Sequence, residues 1–293
     1  MARTVPDDAA RPPTTGELRR LLRREGLRPR RGLSQNFLTD GDALDAILAA
    51  AALSPGDRVV EIGPGLGVLT RRLLAAGCEV VAVEIDAHLA GYLRRELDDA
   101  VSLTLVEADA LDVDPEALFP GQPYLLVANI PYHITSPLLH RFLGSSHPPE
   151  RSVLLVQAEV AARVAAPPGG MSYLSVFVQD LAEAEVVARV PASAFEPEPE
   201  VDSAILRLER RPAPLVPTTD RETFHRVAQA AFRQRRKQIH NSLVRELPVD
   251  RATVDRVLGG CLVDPDRRPQ TLTLPEWACL ADALRPALDG PGG

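Results

Sequence analysis

Four consecutive residues near the middle of the chain, Asn129, Ile130, Pro131 and Tyr132, carry groups that could do chemistry on an amine. They follow a short apolar run, so we expect Asn129 at the end of a β-strand, and Pro131 fixes the backbone of the loop after it. The side-chain oxygen of Asn129 and the carbonyl oxygen of Ile130 can each accept a hydrogen from an exocyclic amine such as N6 of adenine. The nitrogen lone pair would then be available to a methyl group without a strong base.

The ring of Tyr132 could stack on a base that has left its helix, a contact typically worth about 1 to 3 kcal/mol. The plainer alternative is a proline turn that buries the tyrosine in the core. Polar or glycine-rich ends on three other predicted strands favour the catalytic interpretation.

Three glycines follow the first of these strands with the spacing G-x-G-x-G: Gly63, Gly65 and Gly67. A dinucleotide fingerprint would require its third glycine at Val68, so the pattern does not favour a nicotinamide cofactor. Glu84 ends the next strand pattern, where its carboxylate could accept both hydroxyls of a ribose. Asp109 ends the third, where it could accept from an adenine amino group. Together these residues predict a site for S-adenosyl-L-methionine. The alternatives are a tight turn for the glycines and a helix N-cap for Asp109.

The elements that must position these residues are four short runs rich in β-branched residues: DRVVEIG, EVVAVEID, SLTLVEAD and PYLLVANI. They alternate with helical patterns such as GVLTRRLLAAG and AHLAGYLRREL. This alternation predicts an α/β fold, a Rossmann-like parallel sheet with helices on both faces. Because ligands of such sheets bind outside the carboxyl ends of the strands, the four strand ends should converge on one crevice.

A proline-rich stretch from Glu209 to Asp220 cannot continue a helix or a central strand, so we expect a linker there. Beyond it three segments have helical patterns: TFHRVAQAAFRQRRKQIHNSLV, RATVDRVLGGCL and LPEWACLADALR. The predicted organisation has three parts. They are a basic, partly disordered tail and amphipathic helix over 1–31, a catalytic domain that binds S-adenosylmethionine over 32–210, and a small helical RNA-binding domain over 211–293.

The composition restricts the class of protein. A chain of 293 residues, 45% of them apolar, can bury a sizeable core and exceeds the usual single-domain size. Its apolar runs, such as 47–53, are far shorter than the roughly 20 residues of a membrane span. Its N-terminus lacks the apolar segment of a secretory signal. We therefore expect a cytoplasmic protein with no membrane contact.

The cysteines Cys78, Cys261 and Cys279 are odd in number and have neither C-x-x-C nor histidine-rich spacing. This pattern argues against a disulfide framework and against a zinc site. We expect three buried thiols and no metal.

The net charge of −7 hides two basic clusters. Residues 1–31 have a local charge of +5 and residues 221–245 a local charge of +6. The second cluster predicts contacts with nucleic-acid phosphates through Arg233, Arg235, Arg236 and Lys237. The alternative is a solvated helix face. In that case the RNA would contact the N-terminal arginines instead: Arg19, Arg23, Arg30 and Arg31.

From about residue 30 to residue 285 the sequence resembles the rRNA adenine N6-dimethyltransferases, most closely their small-subunit branch. The motifs that carry the resemblance follow one another in family order: LSQNFL, VVEIGPGLGVLT, VAVEID, EADALD, NIPYHITSP, VPASAFEPEPEVDSAILRL and FRQRRKQIHNSL. The resemblance implies that Asn36 and Leu38 close over the cofactor and that Phe195 helps to hold the target base. The alternative for Phe195 is a core residue beside a proline-rich turn.

The resemblance also implies an activity. A monomeric enzyme of this branch would place two methyl groups on N6 of each of two adjacent adenosines near the 3′ end of small-subunit (16S) rRNA, in a precursor 30S particle. Ser34 stands where that branch usually has glycine. The first alternative is therefore a large-subunit (23S) rRNA adenine methylase that gives macrolide resistance. The second, from another class, is a non-catalytic RNA-binding assembly or transcription factor on the same fold.

Overall fold

The computed structural model describes residues 11–30, 32, 35–216, 220–234 and 236–289. The α-helices are α1 Thr15–Arg24, α2 Gly41–Ala51, α3 Val68–Ala75, α4 Ala87–Glu96, α5 Pro115–Leu118, α6 Thr135–Leu143, α7 Ala158–Val164, α8 Tyr173–Leu181, α9 Arg221–Arg233, α10 Ile239–Glu246, α11 Arg251–Gly260 and α12 Leu274–Leu288. The strands are β1 Phe37–Leu38, β2 Arg58–Ile62, β3 Glu79–Glu84, β4 Leu103–Glu107, β5 Leu125–Asn129, β6 Arg151–Gln157, β7 Ala182–Val190, β8 Phe195–Glu196 and β9 Ser203–Arg210.

The chain divides into two compact units, and the first comprises residues up to 161 together with 184–210. It contains a seven-stranded sheet in the order β4-β3-β2-β5-β6-β9-β7. The first five strands are parallel, and β9 joins β6 antiparallel. Strands β2, β3, β5 and β6 are buried along almost their whole length, as β-branched strands covered on both faces should be. The predicted α/β architecture is confirmed, and the strand order reverses between β2 and β5, where ligands of such sheets bind.

Helix α1 belongs to this first unit. Thr14 caps the helix and forms a capping box with Glu17. Leu18 and Leu22 are buried in a cluster with Leu66 and other leucines of the sheet unit. The amphipathic helix predicted for the N-terminal segment is therefore present, while the predicted tail over 1–10 lies outside the described residues.

The second unit comprises residues 162–183 and those from 211 onward. Its core contains Trp277 and Phe224, both fully buried, and is built from helices α8 to α12. The sequence-based division differs from these units, because it assigned 162–183 to the sheet domain and made the N-terminal helix a part of its own. Those residues pack instead with α9, where the ring of Phe177 lies 5.2 Å from that of His225. The predicted linker also starts later than Glu209, since β9 continues to Arg210.

The basic segment lies at a break in the helical unit, where the sequence predicted one continuous helix from 223 to 244. Helix α9 ends at Arg233 and α10 begins at Ile239. A turn separates them, in which the backbone N–H of Lys237 donates to the carbonyl of Gln234 at 2.8 Å. Arg236 and Lys237 therefore lie in a turn and not on a helix face, and their contact with RNA stays a prediction.

Two of the three cysteines form a disulfide, contrary to the expectation of three buried thiols. Cys261, at the end of α11, is bonded to Cys279 of α12, with 5.7 Å between the Cα atoms. The two residues are 18 positions apart in sequence, and only the packing of the two helices brings them together. Cys78 is a free, buried thiol as expected.

Within the described residues, no helix is long and apolar enough to cross a membrane. Those residues also contain no group of three or more His, Cys, Asp or Glu side chains arranged to hold a metal ion.

Candidate active site

A cavity of ≈ 140 Å³ opens at the carboxyl ends of the parallel strands in the first unit. It brings together ten of the residues predicted from the sequence: Asn36, Leu38, Gly63, Gly65, Glu84, Asp109, Asn129, Ile130, Pro131 and Tyr132. The strand ends converge here because β2, β3, β4 and β5 are neighbours in register.

The glycine turn after β2 forms one wall of the cavity. Gly63, Gly65 and Gly67 all have positive φ, at 67°, 59° and 77°, a region that favours glycine. A Cβ on Gly65 would lie 3.2 Å from the ring of Phe37, which also lines the cavity. A Cβ on Gly67 would lie 2.7 Å from Leu93 Cδ2. The turn therefore needs glycine both for its backbone conformation and for close packing.

Glu84 is the last residue of β3, and its side chain is 4% exposed. Its Oε2 accepts from the Gly65 N–H at 3.1 Å and its Oε1 from the Asp86 N–H at 2.9 Å. Burial raises the pKa of the Glu84 carboxyl, and these two hydrogen bonds act in the opposite direction. The carboxylate is thus held in one orientation at the cavity wall, with lone pairs left on both oxygens for two hydroxyl groups.

Asp109 lies two residues after β4 and lines the cavity. Its Oδ1 accepts from the Leu111 N–H at 2.9 Å, the local bond expected of a turn or cap residue. The carboxylate therefore has this structural contact and still faces the cavity. Ile85, which the sequence reasoning did not single out, lines the cavity beside it although its side chain is 50% exposed.

The side-chain amide of Asn129 is oriented by the backbone. Its Nδ2 donates to the carbonyl oxygen of Asn36 at 3.2 Å. The amide nitrogen is therefore directed to the segment that precedes β1, and no described residue donates to Oδ1. The side-chain oxygen of Asn129 is left as an acceptor at the cavity.

The loop after Asn129 is fixed at both ends. The Ile130 N–H donates to the Leu155 carbonyl at 3.1 Å, and a short 3₁₀ turn over Tyr132–Ile134 follows Pro131. The hydroxyl of Tyr132 lies 2.7 Å from Oγ of Ser203, which is fully buried at the start of β9. Burial raises the pKa of the Tyr132 hydroxyl, so it stays protonated at neutral pH.

Phe195 does not line the cavity. It is 3% exposed and belongs to the core cluster under the sheet, and in the two-stranded sheet it is paired with Leu38, which does line the cavity. The structure therefore places Phe195 behind the cavity wall, in the core position that was its alternative. A direct contact with a target base stays a prediction.

Glu61 is a cavity residue that the sequence reasoning missed. It lies in the buried strand β2, is 1% exposed, and its Oε2 has no hydrogen-bond partner among the described residues. Burial is the main cause that raises its pKa to about 8; interaction with Thr70 acts in the opposite direction, and the nearby Glu84 carboxylate raises the pKa further. The signal was available in the sequence as one acidic residue inside an otherwise apolar strand.

The second unit holds the predicted RNA-binding residues. Arg236 and Lys237 are exposed and form no ion pair with the described residues. Arg233 is 60% exposed but lies 3.5 Å from the Glu246 carboxylate. Arg235 lies outside the described residues.

The sequence was compared with known families and proteins. The profile of the ribosomal RNA adenine dimethylase family matches residues 26–279. The chain belongs to this family. Two curated relatives are both named ribosomal RNA small subunit methyltransferase A. The one from Moorella thermoacetica is 43% identical over 93% of this chain and 98% of its own length. The one from Synechococcus sp. is 46% identical over 87% and 93%.

Two solved structures of methyltransferases share the fold. The 23S rRNA methyltransferase ErmE is 33% identical, with a TM-score of 0.67 over 85% of this chain and 100% of its own. A dimethyladenosine transferase from Plasmodium falciparum is 25% identical, with a TM-score of 0.72 over 85% and 97%. The chain is therefore a methyltransferase-type α/β protein of the rRNA adenine dimethylase family.

Proposed function

We propose that this protein transfers methyl groups from S-adenosyl-L-methionine to N6 of two adjacent adenosines near the 3′ end of small-subunit (16S) rRNA, giving dimethyladenosine at each. The observation that carries the proposal is the orientation of the Asn129 amide. Its Nδ2 is bound to the Asn36 carbonyl, and its Oδ1 is left at a cavity that also holds the Glu84 carboxylate.

The residues at the cavity suit the cofactor. Glu84 presents two oxygens of a fixed carboxylate to the ribose hydroxyls, and Gly65 lets the ligand approach the backbone. Asp109 can accept from the adenine amino group, while Ile85 offers an apolar surface to the ring. The buried Oε2 of Glu61, which has no hydrogen-bond partner among the described residues, is an acceptor for a cationic ammonium group. When bound, S-adenosylmethionine supplies a methyl group on a positively charged sulfur.

The chain's own groups then act on the target base. The Asn129 side-chain oxygen and the Ile130 carbonyl accept the two N6 hydrogens of adenine, which directs the nitrogen lone pair toward the methyl carbon. Because the amine is held by neutral acceptors, no strong base is needed, and the proton released from nitrogen after transfer goes to solvent. The Tyr132 ring, anchored through its hydroxyl, provides the face on which the extruded base stacks.

The small-subunit target is supported by the relatives named small subunit methyltransferase A, which match this chain over nearly their whole length. The alternative target is the large-subunit rRNA, because ErmE shares the fold. Methylation of purified 30S precursor and 50S particles, followed by primer-extension mapping of the modified adenosines, separates the two. Signal on 23S rRNA alone would overturn the proposal. We further propose that the substrate is a cytoplasmic precursor 30S particle and that a monomer binds it.

The catalytic role of the site is tested with Asn129→Ala. We expect methyl transfer to be lost while affinity for S-adenosylmethionine stays within a few-fold, since Glu84 and the glycine turn are unchanged. Asp112→Ala, on the loop after β4, is the matched control and should keep full activity. Dimethylation retained by Asn129→Ala would contradict the mechanism. Particle binding by the parent protein without any methyl transfer would favour a non-catalytic assembly factor instead.

A further inference from the structure

We infer that the outward face of helix α1 is a second phosphate-binding surface for rRNA, on the catalytic unit itself. The inference rests on the proposed rRNA substrate and adds a contact surface to it. The surface consists of Arg20, Arg23 and Arg28, and we call it the α1 arginine face.

The helix presents this face because its other side is buried. Leu18 and Leu22 are 0% and 7% exposed, and at 100° per residue Arg20 and Arg23 lie on the opposite side of the helix. Arg28 follows shortly after the helix and is also exposed. Burial of the leucines fixes the helix on the unit, so Arg20 and Arg23 are held on a rigid element.

No carboxylate in the described part of the chain neutralises the positive charge of this face. The carboxylates on and against α1 each have an arginine of their own: Glu17 pairs with Arg11, Glu25 with Arg24 and Arg95, and Glu196 with Arg19. In contrast, the three arginines of the α1 arginine face form no ion pair with the described residues. A surplus of about three positive charges therefore remains on a protein whose net charge is −7.

The buried side of α1 packs against the wall of the cavity. Leu18 and Leu22 pack in one cluster with Leu66, Leu89 and Phe37, and all three of these also line the cavity. An RNA segment that continues from the cavity past α1 would bring further phosphates to the arginines on the solvent side of this helix. A nucleic acid matches both observations, because its phosphates suit the surplus of positive charge and its bases suit the proposed site in the cavity. Phosphate contacts position a nucleic acid without reading its sequence.

The triple variant Arg20→Gln/Arg23→Gln/Arg28→Gln tests the inference, because glutamine removes the charge, stays polar and has a helix propensity close to that of arginine. A naked 16S rRNA 3′ fragment should bind with a log–log salt slope smaller in magnitude by about two to three units, at 0.7 to 0.9 per phosphate contact. KM for the fragment should rise with kcat unchanged, and affinity for S-adenosylmethionine should not change, because these arginines do not line the cavity.

The control for loss of charge elsewhere on this unit is the double variant Arg58→Gln/Arg210→Gln, in which Arg58 already lies 3.6 Å from Glu79. Arg58 begins β2, and Arg210 ends the antiparallel β9, whose residue Glu209 pairs with the first residue of β6. Both therefore lie at the end of the sheet away from the cavity, and the slope of this control should equal that of the parent.

The outcomes are distinct. An unchanged slope in a folded triple variant overturns the inference, and so does weaker binding to particles combined with normal binding to naked rRNA, which would identify an acidic protein as the partner. If the parent protein itself methylates no rRNA, the proposed function fails instead, and the fragment-binding slopes still decide the inference.

Discussion

The hydroxyl of Tyr132 lies 2.7 Å from the hydroxyl of Ser203, a residue 71 positions away in the sequence and fully buried. The bond ties the loop after β5 to the first residue of the antiparallel strand β9. It holds the ring at one position beside the cavity, in addition to the backbone hydrogen bonds that fix the loop. Ser203 is therefore a positioning residue for Tyr132.

A double-mutant cycle measures this coupling. Tyr132→Phe and Ser203→Ala should each destabilise the protein by about 1 to 3 kcal/mol. Each variant removes the hydrogen bond and leaves the other hydroxyl group without its partner. The double variant should cost less than the sum, since it leaves no unpaired group. Single-turnover methylation should slow in both single variants. Tyr124→Phe, which removes a 3.1 Å bond to the His147 carbonyl away from the cavity, should leave the rate unchanged. Additive losses would contradict the coupling.

The glycine turn gives a second prediction. Gly65→Ala should lower affinity for S-adenosylmethionine at least tenfold, because the new Cβ lies 3.2 Å from the Phe37 ring and displaces part of the cavity wall. Gly121→Ala is the matched control, with a similar φ of 65° and no atom within 4 Å. Both variants should lose about 1 kcal/mol from the left-handed backbone, but only Gly65→Ala should lose cofactor affinity in calorimetry. Equal affinities would mean that the turn does not contact the cofactor.

The raised pKa of Glu61 predicts that the stability of the folded protein depends on pH. Its pKa is raised from 4.5 to about 8 in the folded protein, so the folded state binds a proton that the unfolded chain has released. This contribution to stability is fully present below about pH 4.5 and is lost as the pH rises through about 8, on the order of a few kcal/mol. Glu61→Gln should flatten that decline in urea unfolding between pH 5 and 9.

Two further results bear on Glu61. Glu79→Gln, whose side chain is 59% exposed on the neighbouring strand, should unfold with the pH dependence of the parent. If Glu61 receives the ammonium group of the cofactor, binding should release a proton near pH 7, and Glu61→Gln should abolish that release in calorimetry across buffers. If the stability of Glu61→Gln falls with pH as steeply as that of the parent, another group causes the pH dependence.

Much of this site could be predicted because it depends on local rules. Strands β2 to β5 are short β-branched runs, and parallel topology brings Glu84, Asp109 and Asn129 to one edge whatever the rest of the chain does. The Ser203 contact and the Cys261–Cys279 disulfide depend on which distant elements become neighbours, so spacing in the sequence could not reveal them. The break after Arg233 was missed because both sides of it have good helical patterns, and only tertiary packing separates α9 from α10.

The disulfide yields a prediction about stability. Cys261 and Cys279 close a loop of about the length for which chain entropy predicts roughly 3 kcal/mol. Dithiothreitol should therefore lower the unfolding temperature of the helical unit by several degrees, with no effect on affinity for S-adenosylmethionine. Cys279→Ser should unfold at the lower temperature and should not respond to dithiothreitol. A parent protein that is insensitive to reductant would show that the bond does not form in solution.

The described basic residues between α9 and α10 differ in whether they already form an ion pair within the protein. Arg236 and Lys237 are exposed in a turn without ion pairs to the described residues, whereas Arg233 already lies 3.5 Å from Glu246. Arg236→Ala/Lys237→Ala should lower the magnitude of the salt slope for rRNA binding by about 1.4 to 1.8 units.

The paired arginine should behave differently. Arg233→Ala should lower the magnitude of the salt slope by less than one phosphate contact contributes, because Arg233 must leave Glu246 before it can bind a phosphate. Glu246→Gln should increase the magnitude of the slope, since it frees Arg233 for RNA. Arg251→Ala, an exposed arginine at the start of α11, is the control for charge alone. Filter binding of the 16S fragment from 50 to 200 mM salt measures all four variants. If Arg233→Ala lowers the slope as much as the double variant does, the ion pair with Glu246 does not persist in solution and the segment binds as one continuous patch.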